Sequence, residues 1–92
     1  MMMTSAGLRE KILDMARDLT PMSDMALMLD MSIGQLRELL AEDTSLGREY
    51  RRSIAEVSRV IRRNDIEMAK AGSPTAAEHV LTYLEKLSSD GC

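Results

Sequence analysis

The chain contains no phenylalanine and no tryptophan, and only two tyrosines, two prolines, one histidine and one cysteine among its 92 residues. Each scarcity excludes something. With aromatics at 2%, the interior must be filled by Leu, Met, Ile, Val and Ala, a palette that suits packed helices. No window alternates at period two in β-branched or aromatic residues, so a strand-rich fold has no material. The lone cysteine, Cys92, has no partner for an intramolecular disulfide; it reads as a surface thiol and argues against a secreted, stapled scaffold. Tyr50 and Tyr83 are too few for the stacking surfaces of single-strand binders. His79 has neither a second histidine nor a cysteine at ligand spacing, which leaves no metal or cofactor site to assign. No basic start followed by an apolar run marks a signal peptide, and no apolar run approaches the roughly 18 residues of a membrane span. The expectation is a cytoplasmic protein with no membrane partner. It is also not an enzyme, since no phosphate-cradling glycine loop, nucleophile beside a base, or carboxylate–histidine cluster is present.

What is present is charge, unevenly distributed. The net charge of −3 conceals a basic centre: residues 1–45 sum to −4, residues 46–70 to +3, and residues 71–92 to −2. Residues 48–63 carry Arg48, Arg51, Arg52, Arg59, Arg62 and Arg63. On a helix, spacings of four, seven and four place Arg48, Arg52, Arg59 and Arg63 on one broad face. Such a stripe can follow a phosphate backbone, or it can be a solvated face paired with Glu49, Glu56 and Glu67.

Apolar spacing predicts an all-α fold of about five helices. The first, over 6–19, places Leu8, Ile12, Met15, Ala16 and Leu19 on one face and stops at Thr20 and Pro21. A short second helix over 24–29 has Ser23 as its N-cap. Asp30 and Met31 form a turn, and Ser32 with Gln35 makes an S-x-x-Q capping box for a third helix over 33–42. A long fourth helix over 46–71 ends at Gly72, and Ser73-Pro74 starts a fifth that runs to 87. The fifth turns Ala76, Ala77, Val80, Leu81, Leu84 and Leu87 inward. This gives an N-terminal three-helix unit over 1–45 and a packing or oligomerisation region over 46–92, a long helix and a closing helix packed as an αα-hairpin. The fourth helix offers a seam of Tyr50, Ile54, Val57, Ile61 and Met68, with Asn64 at a seam position where it can set register or face water. Met22, Met25, Met28 and Met31 recur at spacing three and read as fillers of a core without large aromatics. The starting MMMTS reads as disordered and the final SSDGC as frayed.

The stretch SDMALMLDMSIGQLRELL, residues 23–40, resembles the helix-turn-helix of bacterial and phage DNA-binding domains without a gap. Ala26 occupies the small-residue position, Met25, Leu29, Met31, Leu36 and Leu39 the buried ones, and Asp30 the turn position that usually holds a glycine at positive φ. The run REYRRSIAEVSRVIRRNDIEMAKAGSPTAAEHVLTYLEKL is similar to the segment after that motif in phage terminase small subunits, a long basic helix and a Gly-Ser-x-x-Ala turn into a closing helix. The resemblance implies a non-enzymatic DNA-packaging component that recognises viral double-stranded DNA, assembles as a homo-oligomeric ring and delivers DNA to a terminase large subunit. In helix-turn-helix proteins the exposed early residues of the second helix read bases. Here those are Ser32, Ile33, Gly34, Gln35, Arg37 and Glu38, with Arg37 suited to a guanine edge or a phosphate and Gln35 to an adenine. Two other readings stand beside this one: a helical protein-interaction or oligomerisation module, and a helix-turn-helix transcriptional regulator of a mobile element.

Overall fold

The computed structural model describes residues 6–90, and all of its secondary structure is helical: α1 (Ala6–Arg17), α2 (Met22–Met28), α3 (Ile33–Leu39), α4 (Ser45–Lys70) and α5 (Pro74–Ser89). The expectations for MMMTS and for the Cys92 thiol fall outside the described residues. The chain divides into two compact units, and the division lies within α4, between Val57 and Ser58.

The first unit packs α1, α2, α3 and the beginning of α4 around one core. Ile12, Met25, Leu36 and Leu40 are its largest fully buried side chains, and Leu13, Met15, Ala16, Ala26, Leu46 and Tyr50 complete it. Burying each such apolar side chain contributes roughly 1.5–3 kcal/mol, so the unit holds together with Tyr50 as the one aromatic in its core. The methionine series divides: Met25 is fully buried and Met22 and Met31 pack against the core, whereas Met28 is 69% exposed. Met28 is therefore not the core filler that its spacing suggests.

Three helices end in the same way. After α1, α2 and α4 the chain turns through positive φ at Leu19 (56°), Asp30 (57°) and Gly72 (105°). At each site two backbone bonds satisfy the last carbonyls: Leu19 N to Ala16 O and Thr20 N to Met15 O, Asp30 N to Leu27 O and Met31 N to Ala26 O, Gly72 N to Ala69 O and Ser73 N to Met68 O. This is the Schellman arrangement, which needs a left-handed residue just past the helix. Asp30 adopts the conformation its turn requires. Leu19 does not belong to the buried face of α1, as its spacing suggests; it lies past the end of that helix, is 45% exposed and supplies the left-handed turn.

Two helix boundaries also differ from expectation. Pro21, not Ser23, is the N-cap of α2; its extended backbone (φ −62°, ψ 149°) lets its carbonyl accept the Met25 N–H at 3.0 Å, so the helix starts directly after it. No side chain caps this end, and Ser23 lies within the first turn. Residue 89, not 87, ends α5, so the first part of SSDGC is helical.

In the second unit, Ser73 caps α5 by accepting the Ala76 N–H at 3.2 Å, with Pro74 in the first turn. Asp65 of α4 ties α5 down: its carboxylate accepts the Tyr83 hydroxyl, and its other oxygen lies 3.3 Å from His79 Nδ1. This polar link fixes the rotation of α5. Ala76, Val80 and Tyr83 are the buried or half-buried positions, whereas Ala77, Leu81, Leu84 and Leu87, expected inward, are exposed.

The helix ends and the Asp65 link each have a measurable effect on stability. Leu19→Gly removes a left-handed strain worth about 1 kcal/mol and raises the denaturation midpoint, and Gly72→Ala lowers it by a similar amount, since no atom crowds the new Cβ and the cost is conformational. The Tyr83 and His79 hydrogen bonds hold the Asp65 carboxyl below its ordinary value of 3.8, and the Asp65 bond raises the Tyr83 phenol above 10.0. The Asp65 contribution is thus present above 3.8 and lost as pH falls through the lowered value; the Tyr83 contribution is present below 10.0 and lost as pH rises through the raised one. Chemical denaturation over an acid-to-alkaline series should show both losses in the wild type, whereas Asp65→Asn should lack the acid loss and show a smaller alkaline one, since burial of the Tyr83 phenol remains.

Candidate nucleic-acid interface

The exposed part of α3 is held from both ends. At its start Ser32 Oγ accepts the Gln35 N–H at 3.0 Å and Gln35 Oε1 accepts the Ser32 N–H at 2.9 Å, a complete capping box. The Gln35 amide oxygen thus spends one of its two lone pairs on the Ser32 N–H, which leaves the other lone pair and the amide nitrogen's two donors for a ligand. A bidentate pairing with adenine needs both atoms, so Gln35 would make it with the second lone pair of that oxygen, from a side chain whose rotamer the cap fixes. Ile33 is half-buried against the core and anchors the helix. Ser32, Gly34, Gln35, Arg37 and Glu38 are exposed, and no ion pair to Arg37 exists among the described residues. Glu38 borders a shallow cleft that Arg9, Leu39, Thr44, Ser45 and Leu46 also line.

At its far end α3 stops at Leu39, not at 42, because the chain folds sharply into α4. Thr44 organises the corner: its hydroxyl donates to Ala41 O at 2.8 Å and accepts the Gly47 N–H at 2.9 Å, and its carbonyl accepts the Arg48 N–H at 3.0 Å. Arg51 then reaches back one turn and beyond, its Nη1 donating to Gly47 O at 3.0 Å and to Leu40 O at 2.8 Å. A cation on the carbonyl that closes α3 also complements that helix's dipole. Gly47 is required here, since a Cβ would lie 2.7 Å from Leu40 O and 2.8 Å from Thr44 Oγ1.

The arginines of α4 accordingly have different tasks. Arg51 is spent on the corner. Arg48 and Arg52 are exposed in the first unit, and Arg59 and Arg63 in the second. Two of the acids expected to neutralise them are engaged elsewhere: Glu49 pairs with Arg9 of α1, and Glu67 with Lys70 at 3.6 Å. Among the described residues no ion pair reaches Arg48, Arg52, Arg59 or Arg63. The seam of α4 divides too. Tyr50 is in the core of the first unit and Ile54 and Val57 are half-buried, while Ile61, Asn64 and Met68 are exposed.

Sequence reasoning missed Thr44, Gly47 and Arg51 as one device, although a glycine in the first turn of a helix, three residues after a threonine, is a readable sign of close backbone approach. Among the described residues no group of three or more His, Cys, Asp or Glu is placed to hold a metal ion, and no helix is long and apolar enough to cross a membrane. Comparison with protein-family models, curated proteins and solved structures finds no match to this chain.

The corner yields a prediction of sign. Gly→Ala within a helix ordinarily gains about 1 kcal/mol, but an overpacked contact against backbone costs about 1–3 kcal/mol or more. Gly47→Ala should therefore be destabilising by at least ~1 kcal/mol in equilibrium denaturation, whereas Gly7→Ala, whose Cβ meets nothing, should be neutral or stabilising.

Proposed function

We propose that the first unit is a double-stranded-DNA-binding module that presents α3 to the major groove, and that the chain acts, without enzymatic activity, as a recognition component of phage DNA packaging. The observation that carries the reading is the uncompensated set of exposed guanidinium groups in that unit. Arg37, Arg48 and Arg52 have no ion pair among the described residues, while Glu49, the acid in their midst on α4, is taken by Arg9. Free cations beside a short, capped and exposed helix suit phosphate binding and base-edge contact.

The roles divide by chemistry. Arg37 donates to a guanine edge or a phosphate, and Glu38, which phosphate would repel, accepts from a cytosine amino group. Gln35 donates from its amide nitrogen and accepts at the remaining lone pair of its oxygen. Arg48 and Arg52 supply sequence-independent affinity, and Arg59 and Arg63 give the second unit its own phosphate-seeking pair. The packaging role, with a terminase large subunit as recipient of the bound DNA, rests on the resemblance of residues 21–87 to terminase small subunits. A transcriptional regulator of a mobile element would use the same DNA contacts.

Fluorescence anisotropy of a labelled mixed-sequence duplex over a salt series tests the DNA reading. Wild type should bind with an affinity that falls as salt rises. Arg48→Ala/Arg52→Ala should flatten the log–log slope by about 0.9 for each phosphate no longer neutralised. Arg37→Ala should cost roughly 1–3 kcal/mol on a preferred sequence. Absence of binding at low salt, to mixed sequence and to a selected library alike, would overturn the proposal.

A further inference from the structure

Arg9 lies in the first turn of α1, and its guanidinium Nη2 donates to Glu49 Oε1 of α4, forty residues away. Arg9 also lines the shallow cleft that Glu38 borders. One cation of α1 therefore attends acids on both of the helices that carry the free arginines of the first unit. Its side chain is 38% exposed and that of Glu49 37%, and an ion pair so open to water adds little to stability. Holding α1 against α4 is thus a small part of what the pair can do.

The larger effect is on where the Glu49 carboxylate sits. Glu49 precedes Arg52 by three residues, the spacing at which an acid and a base on one helix meet, and it directly follows Arg48. Glu56 lies four residues after Arg52, the less favourable order for such a pair, so Glu49 is the nearer threat to that guanidinium. While Arg9 holds it, Glu49 pairs across to α1 and no ion pair reaches Arg48 or Arg52 among the described residues. Released, its carboxylate would swing along α4 to Arg52, neutralise that cation and place a negative charge beside any phosphate bound there.

We propose that Arg9 is a positioning residue of the DNA surface: it contacts no phosphate itself and sets affinity by holding Glu49 away from Arg48 and Arg52. The inference rests on the DNA reading of the first unit and adds to it a residue outside the helix-turn-helix and outside the arginine stripe. It also makes α1 an electrostatic part of the site, in addition to a wall of the core.

Duplex binding of the full chain by fluorescence anisotropy over a salt series tests it, with far-ultraviolet circular dichroism reporting fold. Arg9→Met keeps the apolar stem and removes the cation. It should lower affinity roughly eightfold at about 0.1 M salt and flatten the log–log slope by about 0.9, the value of one phosphate no longer neutralised. Arg9→Met/Glu49→Gln, which still lacks Arg9, should restore both, and Arg9→Lys should keep both near wild type. Arg17→Met, which removes the same charge from the other end of α1, should leave both unchanged. Wild type that binds while Arg9→Met binds equally well, a double variant as weak as Arg9→Met, or an equal loss in Arg17→Met would overturn this inference and leave the DNA reading standing. Wild type that binds no duplex would overturn the DNA reading and this inference with it.

Discussion

The first unit depends on how closely α4 can approach the end of α3. That approach is a backbone contact, made possible by the missing side chain of Gly47 and held by Thr44 on one side and Arg51 on the other. Once it is made, Leu46 and Tyr50 enter the core beside Leu36 and Leu40, and the three short N-terminal helices acquire the fourth wall they need. Seven-residue helices such as α2 and α3 have little stability of their own, since nucleation consumes most of what so few hydrogen bonds return. Their order comes from this shared core, so the geometry of the exposed α3 face is set by residues that never reach it.

The same corner explains how particular arginines stay unpaired in a protein of net charge −3. Arg51 and Glu49 are both turned to structural work, one capping α3 and the other joining Arg9. Their neighbours Arg48 and Arg52 are left to solvent. Net charge is thus a weak guide to partner here, because internal pairing subtracts opposite charges from particular places and leaves others uncompensated.

Much of the fold is legible in the sequence because it is encoded locally. Five helices, the Ser32–Gln35 capping box, the Ser73-Pro74 start and the Gly72 stop all depend on residues within one turn of each other. Asp30 is readable as a left-handed position from the turn it occupies; Leu19 is not, because leucine gives no sign of tolerating positive φ and only the Schellman bonds after α1 reveal it. Contacts across long separations are the other gap. Tyr83 and Asp65 are eighteen residues apart, and nothing local shows that their hydrogen bond, and not the leucine periodicity, sets the rotation of α5. Of the candidate interface, the exposure of Arg37, Arg48 and Arg52 follows from helix registration, while the diversion of Arg51 and the partial commitment of the Gln35 oxygen are visible only in the folded geometry.

The scarcity of aromatics has an optical consequence. With no tryptophan, the near-ultraviolet emission of the chain comes from two phenols, and each unit holds one: Tyr50 sealed in the first core, Tyr83 bonded to a carboxylate in the second. An apolar cage and a carboxylate acceptor affect a phenol's emission differently, the latter quenching it. Each half of the molecule therefore carries its own intrinsic reporter, and replacing either tyrosine by phenylalanine leaves a signal that follows the loosening of the other half alone.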